Sequence, residues 1–370
     1  MKFNILELYA GTGRSVEPFA RWSGTRKIYL VDNNQYAADV YLYNHPKTNY
    51  AVYDLDKVCS SKLLSFSEGR VDVLLGCPPC QGFSDCGLKN ARDPRNKQMT
   101  RFAEIVRDLR PRVLALENVP LVVTSARFKN FVRSLEQLDY VWTAAVVNAA
   151  LYGSCQSRQR LVLVAALAKL RTQPRFPSPT HGGSRLYFNY STQKFCQLKM
   201  DVLGMLGKTP ATQRLEKQFP LRRDEVFGPR TVPTVGEILG ALPTTGTPDA
   251  KRINHVPWQH SAATRKRMAN VREGSRWSGG SNHFSQAYGR LHRRGLSRTI
   301  TGFFSNAGSG RFWHPIDNRA ITLREAARIQ GFPDSFHFLT GDHQNQHLVG
   351  NALDAALAQV TFSVIENCLA

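Results

Sequence analysis

Short apolar runs alternate with amphipathic stretches from the N-terminus to Lys169. Apolar runs bounded by turn residues are typical of buried strands, and apolar positions at helical spacing predict helices. The predicted strands cover residues 3–9, 27–31, 51–53, 71–75, 113–116, 141–147 and 161–165, and the predicted helices cover residues 16–22, 35–43, 99–109 and 128–138. Strands that alternate with helices in this way predict an α/β fold with a largely parallel sheet.

The pattern changes at about residue 170, where a stretch rich in Pro and Gly begins. Helical periodicity then returns at residues 197–206 and 234–241. Strand character resumes at 298–301, and helices are predicted at 321–330 and 353–365, the last with Gly350-Asn351-Ala352 at its N-terminus. We therefore predict a first domain at 1–169, a smaller loop-rich domain inserted at 170–285, and a C-terminal part at 286–370 that returns to the first domain.

Positive charge is the strongest compositional signal. The chain has 49 Lys and Arg against 28 Asp and Glu, a net charge of +21. From Lys169 to Arg298 there are 23 Lys or Arg and 7 Asp or Glu, so most of the excess lies in roughly the third quarter of the chain. Basic side chains interleaved with His and Trp at residues 251–277 suit contacts with phosphates and bases. A well-solvated surface alone needs no such concentration, so the charge predicts a nucleic-acid partner.

Cysteine usage and the N-terminus predict a cellular location. Seven scattered cysteines suggest reduced thiols, no apolar run approaches a membrane span, and the first residues lack the shape of a signal peptide. We expect a cytoplasmic protein. The pairs His255/His260 and His343/His347 lack a carboxylate or cysteine to complete a metal site, so we expect no metal.

A glycine turn follows the first predicted strand. Gly11 and Gly13 are followed by a helix, a second strand and an acid, Asp32, 21 positions after Gly11. In nucleotide sites the glycines let the backbone approach the ligand, and the acid binds ribose hydroxyls. The full Gly-x-Gly-x-x-Gly fingerprint for a pyrophosphate is missing, which favours a nucleoside cofactor over NAD. Asp54 is a second acid at a strand end.

The segment of residues 76–84 places Cys80 directly after a predicted buried strand and two prolines. The prolines restrict the backbone, and ligands of open α/β sheets bind beyond the carboxyl ends of the strands. Taken alone, Cys80 is more typical of a packing residue. The Cys77-x-x-Cys80 spacing also resembles half of a zinc or redox site. A chemical role for Cys80 therefore depends on partners elsewhere in the chain.

Three charged residues are candidate partners. Glu117 ends the fifth predicted strand, where an unpaired carboxylate costs free energy. Arg158 and Arg160 lead into the seventh, where they need an anion or hydrogen-bond acceptors; a basic surface turn is the alternative. Residues 84–98 form a polar, basic loop after Cys80, of the kind that closes over active sites.

The order of these motifs resembles that of the DNA (cytosine-5) methyltransferases, most of all the bacterial restriction-modification type. The matching blocks are Leu8-Tyr9-Ala10-Gly11-Thr12-Gly13, Asp32, Asp54, Pro78-Pro79-Cys80-Gln81-Gly82-Phe83-Ser84, Glu117-Asn118-Val119, Gln156-x-Arg158-x-Arg160, Arg290-Leu291, Ser297-Arg298-Thr299-Ile300, Arg324 to Arg328, Phe332-Pro333-Asp334 and Gly350-Asn351-Ala352. They cover both ends of the chain and leave 170–285 unmatched in detail. The resemblance implies a Rossmann-like methyltransferase sheet in 1–169, with 170–285 as an inserted target-recognition domain.

The resemblance also implies a cofactor, S-adenosylmethionine, and the residues that bind it. These are Tyr9 beside the adenine, Gly11 and Gly13 in the turn, Asp32 at the ribose, Asp54 near the adenine amino group, Pro79 in the same site, and Asn351 at the methionine end.

The chemistry implied by the resemblance starts with Cys80, which attacks C6 of a cytosine flipped out of the duplex, after which C5 takes the methyl group. Glu117 holds N3 and the exocyclic amine, Arg160 binds O2, and Arg158 supports the site or a phosphate. The implied partners are double-stranded DNA and, acting separately, a restriction endonuclease; we expect a monomer associated with a prokaryotic nucleoid. The predicted DNA contacts are Ser84, Arg95, Arg265, Arg267 and Arg290.

Four positions depart from the family pattern. Arg14 stands for a glycine, Asn33 for an aromatic or apolar residue, Gln98 for a leucine near the cofactor, and Leu353 for a valine. None of them removes a catalytic group, so we expect the departures to affect cofactor affinity rather than chemistry.

Three alternatives remain open. A tRNA cytosine-5 methyltransferase uses the same motifs but has a smaller variable region. A non-catalytic DNA-binding relative is disfavoured by the intact Cys80, Glu117 and Arg160. An NAD dehydrogenase is disfavoured by the incomplete glycine fingerprint.

Overall fold

The computed structural model of the chain describes residues 1–79, 97–183, 186–190, 193–197, 228–240, 242–279 and 286–370. Within them a seven-stranded sheet forms from β1 (Phe3–Leu8), β2 (Thr25–Asp32), β3 (Asn49–Val52), β4 (Val73–Gly76), β5 (Val113–Asn118), β6 (Tyr140–Asn148) and β7 (Gln159–Leu167). The strand order is β3-β2-β1-β4-β5-β7-β6. Strands β1 to β5 pair in parallel, and β7 runs antiparallel to both β5 and β6. The predicted α/β fold and all seven predicted strands are confirmed.

The helices among the described residues are α1 (Glu17–Ala20), α2 (Gln35–Asn44), α3 (Ser60–Phe66), α4 (Gln98–Leu109), α5 (Ala126–Gln137), α6 (Val235–Leu239), α7 (Pro248–Arg252), α8 (Ala262–Ala269), α9 (Leu323–Ile329), α10 (Asp342–Asn351) and α11 (Ala355–Leu369). Sequence periodicity missed α3, α7, α8 and α10, because these helices are short or lack a clear apolar stripe. None of the described helices is long and apolar enough to cross a membrane by itself; α10 and α11, which are bent by 42°, reach that length and composition only as a pair.

Side chains alternate across β1 and so supply both faces of the sheet. Leu6 and Leu8 point to one face, where Phe102 of α4 and Phe131 of α5 complete a buried cluster. Ile5 points to the other face and joins a cluster with residues of α1 and α11. The C-terminal helix therefore covers the sheet built by the first 167 residues.

A third apolar cluster connects the remaining parts of the chain. Val235 and Leu239 of α6 pack with Ile300, with Ile329 of α9 and with residues of α2 and α10, Val40 among them. The predicted domain boundaries at 170 and 285 stay a prediction.

Three predicted elements differ in the structure. Gln197 ends a strand, Lys194–Gln197, instead of starting a helix, and residues 198–206 lie outside the described part of the chain. The strand predicted at 298–301 shortens to Ser297–Arg298, which pairs with Gln156–Ser157. The prediction that Gly350-Asn351-Ala352 begins the last helix is wrong: Asn351 ends α10, and Asp354 begins α11 by accepting a hydrogen bond from Ala356 N.

Candidate functional site

The strand directions bring the candidate residues to one edge of the sheet. The carboxyl ends of β1, β2, β4 and β5 share this edge because these strands are parallel. The start of β7 joins them because β7 is antiparallel to β5, with Asn118 opposite Leu161. The strand order reverses between β1 and β4, and ligands of open α/β sheets bind at such a switch point.

The glycine turn after β1 has a left-handed backbone at three positions. φ is 57° at Tyr9, 51° at Gly11 and 64° at Gly13. A side chain at Gly13 would clash with two neighbours, because its Cβ would lie 2.3 Å from the ring of Tyr41 and 2.8 Å from Leu30. The turn is therefore closely packed against α2 and β2, and its backbone lies at the edge of the sheet.

Asp32 and Tyr50 hold the turn from the neighbouring strands. The carboxylate of Asp32 accepts hydrogen bonds from Gly11 N and Asn34 N, both at 2.9 Å. The hydroxyl of Tyr50 donates to Gly11 O at 2.9 Å. Each carboxylate oxygen keeps lone pairs for further donors, so Asp32 lies beside the turn with capacity to accept ribose hydroxyls.

Buried polar atoms without protein partners lie beside the same turn. Among the described residues, Oε2 of Glu7, Oγ1 of Thr12 and Nε of Arg14 are buried and have no hydrogen-bond partner. Burial raises the pKa of Glu7 to about 8, against the effect of Ser15, whose hydroxyl donates to it. Unpaired buried polar atoms are costly. These atoms keep unused hydrogen-bonding capacity beside the glycine turn.

Sequence reasoning passed over Glu7, although a glutamate inside the buried run of residues 3–9 was a visible signal. It noted Arg14 only as a departure. The Arg14 guanidinium is buried, donates to Gly331 O at 2.6 Å and lies 4.5 Å from the centre of the Phe332 ring. Arg14 therefore ties the glycine turn to the C-terminal part.

The other predicted cofactor residues lie around this turn at different depths. Asp54 follows β3 and is half-buried; its pKa is lowered by a hydrogen bond from Asp56 N and by Lys57. Pro79 is half-buried and follows β4. Asn351 is exposed at the end of α10, next to Gly350, whose backbone packs directly on Thr301.

Glu117 and Arg160 form an ion pair where β5 ends and β7 begins. Nε of Arg160 lies 2.9 Å from Oε1 of Glu117, and the two side chains are only 16% and 15% exposed. The N–H is not aligned with Oε1, which keeps its capacity for a hydrogen bond. The pair thus offers a carboxylate and a guanidinium to a small polar ligand in a largely desolvated place.

Asn118 fixes the chain that leads to Cys80. Its side-chain amide donates to Pro78 O at 2.9 Å and accepts from Val119 N at 2.8 Å. Sequence reasoning took Asn118 as part of a motif without a role of its own. Cys80, Ser84 and Arg95 lie outside the described residues.

Cys77 is described and is half-buried. Burial raises the pKa of Cys77 well above its usual range, and the nearby carboxylate of Glu117, to which the thiol hydrogen-bonds, raises it further. A thiol held neutral is a poor nucleophile, so Cys77 is a structural neighbour of the site.

Arg158 supports the site from inside the protein. It is 3% exposed and donates to Ile300 O, Gly350 O and Ala352 O at 3.2–3.3 Å. Burial lowers the pKa of Arg158 to about 9, with Arg160 as a second cause. This burial argues against a direct contact with a phosphate, and the predicted role of Arg158 in the site stays a prediction; its hydrogen bonds join the start of β7 to the C-terminal part.

A buried polar network extends this connection and was missed from the sequence. The amide of Gln156 donates to Gln330 Oε1 at 2.6 Å and to Asp354 Oδ2 at 3.2 Å, and accepts from Ile300 N at 2.7 Å. The hydroxyl of Ser154 also donates to Asp354, at 2.7 Å. Each partner of Gln156 is more than 140 residues away from it in the sequence, so no local sequence pattern predicts the network.

The predicted DNA contacts divide into exposed and buried residues. Arg265 and Arg267 are exposed on α8, and Arg267 lies 4.9 Å over the ring of Trp277. Arg290 is 3% exposed and donates to backbone or side-chain oxygens of Val271, Met268, His314, Asp317 and Asn318. The prediction that Arg290 contacts DNA is therefore wrong, because its guanidinium donors are used inside the fold.

The histidines that we did not expect to bind a metal make contacts with other protein groups. His255 shares a hydrogen bond of 2.8 Å with Thr322, and His343 stacks on His347. In the part of the chain that the structure describes, no three His, Cys, Asp or Glu side chains come together as a metal site.

Solved structures share this architecture along the whole chain. The Spodoptera frugiperda DNMT2 structure, a mutant, aligns with a TM-score of 0.63 and 17% identity, covering 100% of both chains. The Entamoeba histolytica methyltransferase EhMeth aligns with a TM-score of 0.64 and 16% identity, covering 100% of this chain and 99% of the other.

Sequence relatives extend along most of the chain as well. The type II methylase M.HgiDII of Herpetosiphon aurantiacus is 29% identical over 99% of this chain and 95% of its own length. The type II methyltransferase M1.HphI of Haemophilus parahaemolyticus is 27% identical over 97% of this chain and 85% of its own length. The sequence model of the family described as C-5 cytosine-specific DNA methylase matches residues 3–367. The chain belongs to the C-5 cytosine-specific DNA methylase family and is a methyltransferase of the bacterial restriction-modification type.

Proposed function

We propose that the protein transfers a methyl group from S-adenosylmethionine to C5 of a cytosine that is flipped out of a specific duplex DNA sequence. The observation that carries the proposal is the Glu117–Arg160 pair beside Asn118, which holds the chain just before Cys80. The carboxyl of Glu117 and the guanidinium of Arg160 at one sheet edge match the polar edge of cytosine. The Cys80 thiol, which follows Pro78 and Pro79 in the sequence, is the proposed partner of the electrophilic C6.

The residues around the glycine turn fit the cofactor. Asp32 has acceptor capacity for ribose hydroxyls, Tyr9 offers an aromatic surface, and the partnerless Thr12 hydroxyl offers a polar contact. The cofactor supplies an electrophilic methyl group on a sulfonium. Asp54, Pro79 and Asn351 complete the proposed binding set.

Cys80 acts as the nucleophile. Its thiolate forms a bond to C6 of the flipped base, which cannot be reached while stacked, and the added electron density makes C5 nucleophilic. C5 would then bond to the methyl carbon as the methyl–sulfonium bond breaks, with S-adenosylhomocysteine as the leaving group. Transfer of the C5 proton to water lets its bonding electrons form the C5–C6 double bond, which expels the Cys80 thiolate and restores the ring.

Glu117 and Arg160 orient the base and stabilise charge. Glu117 holds N3 and the exocyclic amine, and Arg160 holds O2. As the thiolate adds to C6, negative charge develops toward N3 and O2, where a proton from the Glu117 carboxyl and the guanidinium of Arg160 neutralise it. Arg158 keeps the start of β7 in place from below.

Residues 170–285 are the proposed target-recognition region, and double-stranded DNA is the proposed substrate. The net positive charge of this part of the chain and the exposed Arg265 and Arg267 support it. We further propose a cytoplasmic, nucleoid-associated monomer that acts separately from any cognate endonuclease.

The test is bisulfite sequencing of DNA from cells that express the wild type or Cys80→Ser. We expect 5-methylcytosine in one short sequence context with the wild type and none with the variant. In vitro, a duplex with 5-fluorocytosine at that position should trap a covalent adduct on Cys80, because fluorine blocks loss of the C5 proton. Methyl transfer to tRNA and not to duplex DNA would contradict the proposal, as would methylation by Cys80→Ser.

A further inference from the structure

Tyr9 is bound to the first residue of α4. Its hydroxyl donates to Oε1 of Gln98 at 3.0 Å and approaches Gln98 O at 3.3 Å. The contact joins the residue before the glycine turn to a residue 89 positions later. Gln98 is also one of the four positions that depart from the family pattern.

The backbone at Tyr9 needs external support. Its φ of 57° lies in the left-handed region, which a residue with a Cβ adopts at a cost of about 1 kcal/mol. Such conformations persist where surrounding contacts impose them. The hydroxyl contact is at the far end of the Tyr9 side chain, so it restrains the ring as well as the backbone.

The first turn of α4 is a fixed point for this contact. Arg101 donates to Leu55 O at 2.8 Å and to Val58 O at 2.7 Å. Lys97 lies 3.6 Å from Asp56. Since these bonds tie α4 to the segment after β3, Gln98 presents its acceptors from a braced element.

We propose that Gln98 is a positioning residue for the cofactor, because it fixes the ring of Tyr9 against which the adenine lies. The inference rests on the proposed function, since it takes Tyr9 as the adenine contact. A leucine at 98 has no side-chain acceptor and would leave only the backbone carbonyl for the buried hydroxyl. Gln98 and the Tyr9 hydroxyl therefore act as a matched pair in this chain.

The inference predicts a specific dependence between two substitutions. Tyr9→Phe removes the donor, and Gln98→Leu removes the better of two acceptors. Each should weaken cofactor binding by roughly 2- to 10-fold, the range that one hydrogen bond spans. In the Tyr9→Phe background, Gln98→Leu should have no further effect, because the bond is already absent. Gln98→Glu keeps an acceptor and should stay within about 2-fold of the wild type.

The test is calorimetric titration of S-adenosylhomocysteine into the wild type, these variants and the double variant, together with the Michaelis constant for DNA. Tyr140→Phe is the control, because it removes a hydrogen bond of 2.6 Å from a tyrosine hydroxyl to Pro111 O at the opposite edge of the sheet. We expect weaker cofactor binding in the Tyr9 and Gln98 variants, and an unchanged Michaelis constant for DNA in the variants that remain active.

Gln98→Leu binding as tightly as the wild type would overturn the inference, and so would the same loss for Gln98→Leu with and without Tyr9→Phe. Equal losses in the Tyr140→Phe control would also overturn it, because the effect would then be one of general stability. A wild type that binds no S-adenosylhomocysteine or S-adenosylmethionine contradicts the proposed function itself, which separates the two failures.

Discussion

Nε of Arg160 lies 2.9 Å from Oε1 of Glu117, across the antiparallel join of β5 and β7. The two residues are 43 positions apart in the sequence, and both side chains are largely shielded from water. An incoming base that bonds to both would meet the carboxylate and the guanidinium already in place. This arrangement is the basis for the first expected outcome.

Glu117→Gln should reduce the rate of methyl transfer by about 100- to 1000-fold, the effect of losing one pre-positioned group that stabilises developing charge. The neutral amide no longer pairs with Arg160 by charge and cannot give a proton to N3. Single-turnover methylation of duplex DNA measures this, with S-adenosylhomocysteine affinity expected within 2-fold. Glu136→Gln, which alters a surface carboxylate bonded to Trp142, is the control. An unchanged rate for Glu117→Gln would refute the assigned role.

Asn118→Ala should slow the covalent step. The substitution leaves Pro78 O and Val119 N without their side-chain partner, and we expect a loss of about 1–3 kcal/mol of stability. The rate of adduct formation on 5-fluorocytosine DNA should fall further than the affinity for S-adenosylhomocysteine.

Asn44→Ala is the matched control. It removes a side-chain amide hydrogen bond of 2.8 Å to His337 O, and this bond lies away from the sheet edge. Equal effects of the two substitutions on the adduct rate would show that Asn118 does not position Cys80.

Glu7→Gln should flatten the dependence of stability on pH. Burial raises the pKa of Glu7 from 4.5 to about 8. The protonated form therefore favours folding, and this contribution is complete below pH 4.5 and is lost as pH rises to about 8. The change amounts to about 5 kcal/mol. Urea unfolding of the wild type and Glu7→Gln at pH 5, 6, 7, 8 and 9 measures the difference. Parallel profiles across this range would argue against a protonated Glu7.

Arg265 and Arg290 should respond differently to the same substitution. Arg265→Gln removes an exposed charge on α8 and should lower the salt dependence of DNA binding by about one unit of slope if it contacts a phosphate. Arg290→Gln removes buried donors from several oxygens and should instead lower the unfolding midpoint. Fluorescence anisotropy at several salt concentrations and thermal unfolding separate the two. A salt slope that changes only with Arg290→Gln would reverse this assignment.

Local patterns predicted the sheet well because each strand is a short apolar run with turn residues at its ends. They also predicted that Gly11, Asp32 and Glu117 follow strands and that Arg160 precedes one. Parallel pairing brings the first three to one edge, and the antiparallel direction of β7 adds Arg160. They failed for α10, whose sequence of residues 342–351 is mostly polar and becomes a helix through contacts with the loop near residue 302. The start of the last helix was misplaced for the same reason.

The arginines show most clearly what local sequence patterns do not predict, namely which charged side chains are buried. Arg158 and Arg160 belong to one motif, yet one is buried against the carbonyls of residues 300, 350 and 352 and the other faces Glu117. Arg290 looks like a DNA contact in sequence and is an internal support in the fold.

The sequence by itself determined the family, the order of the strands along the chain and the residue types available for chemistry. Only the tertiary structure decided which charges are used inside the protein and which remain for a ligand. The reason is that a guanidinium or carboxylate is satisfied by acceptors or donors that lie far away along the chain, and their positions depend on how the strands and helices pack.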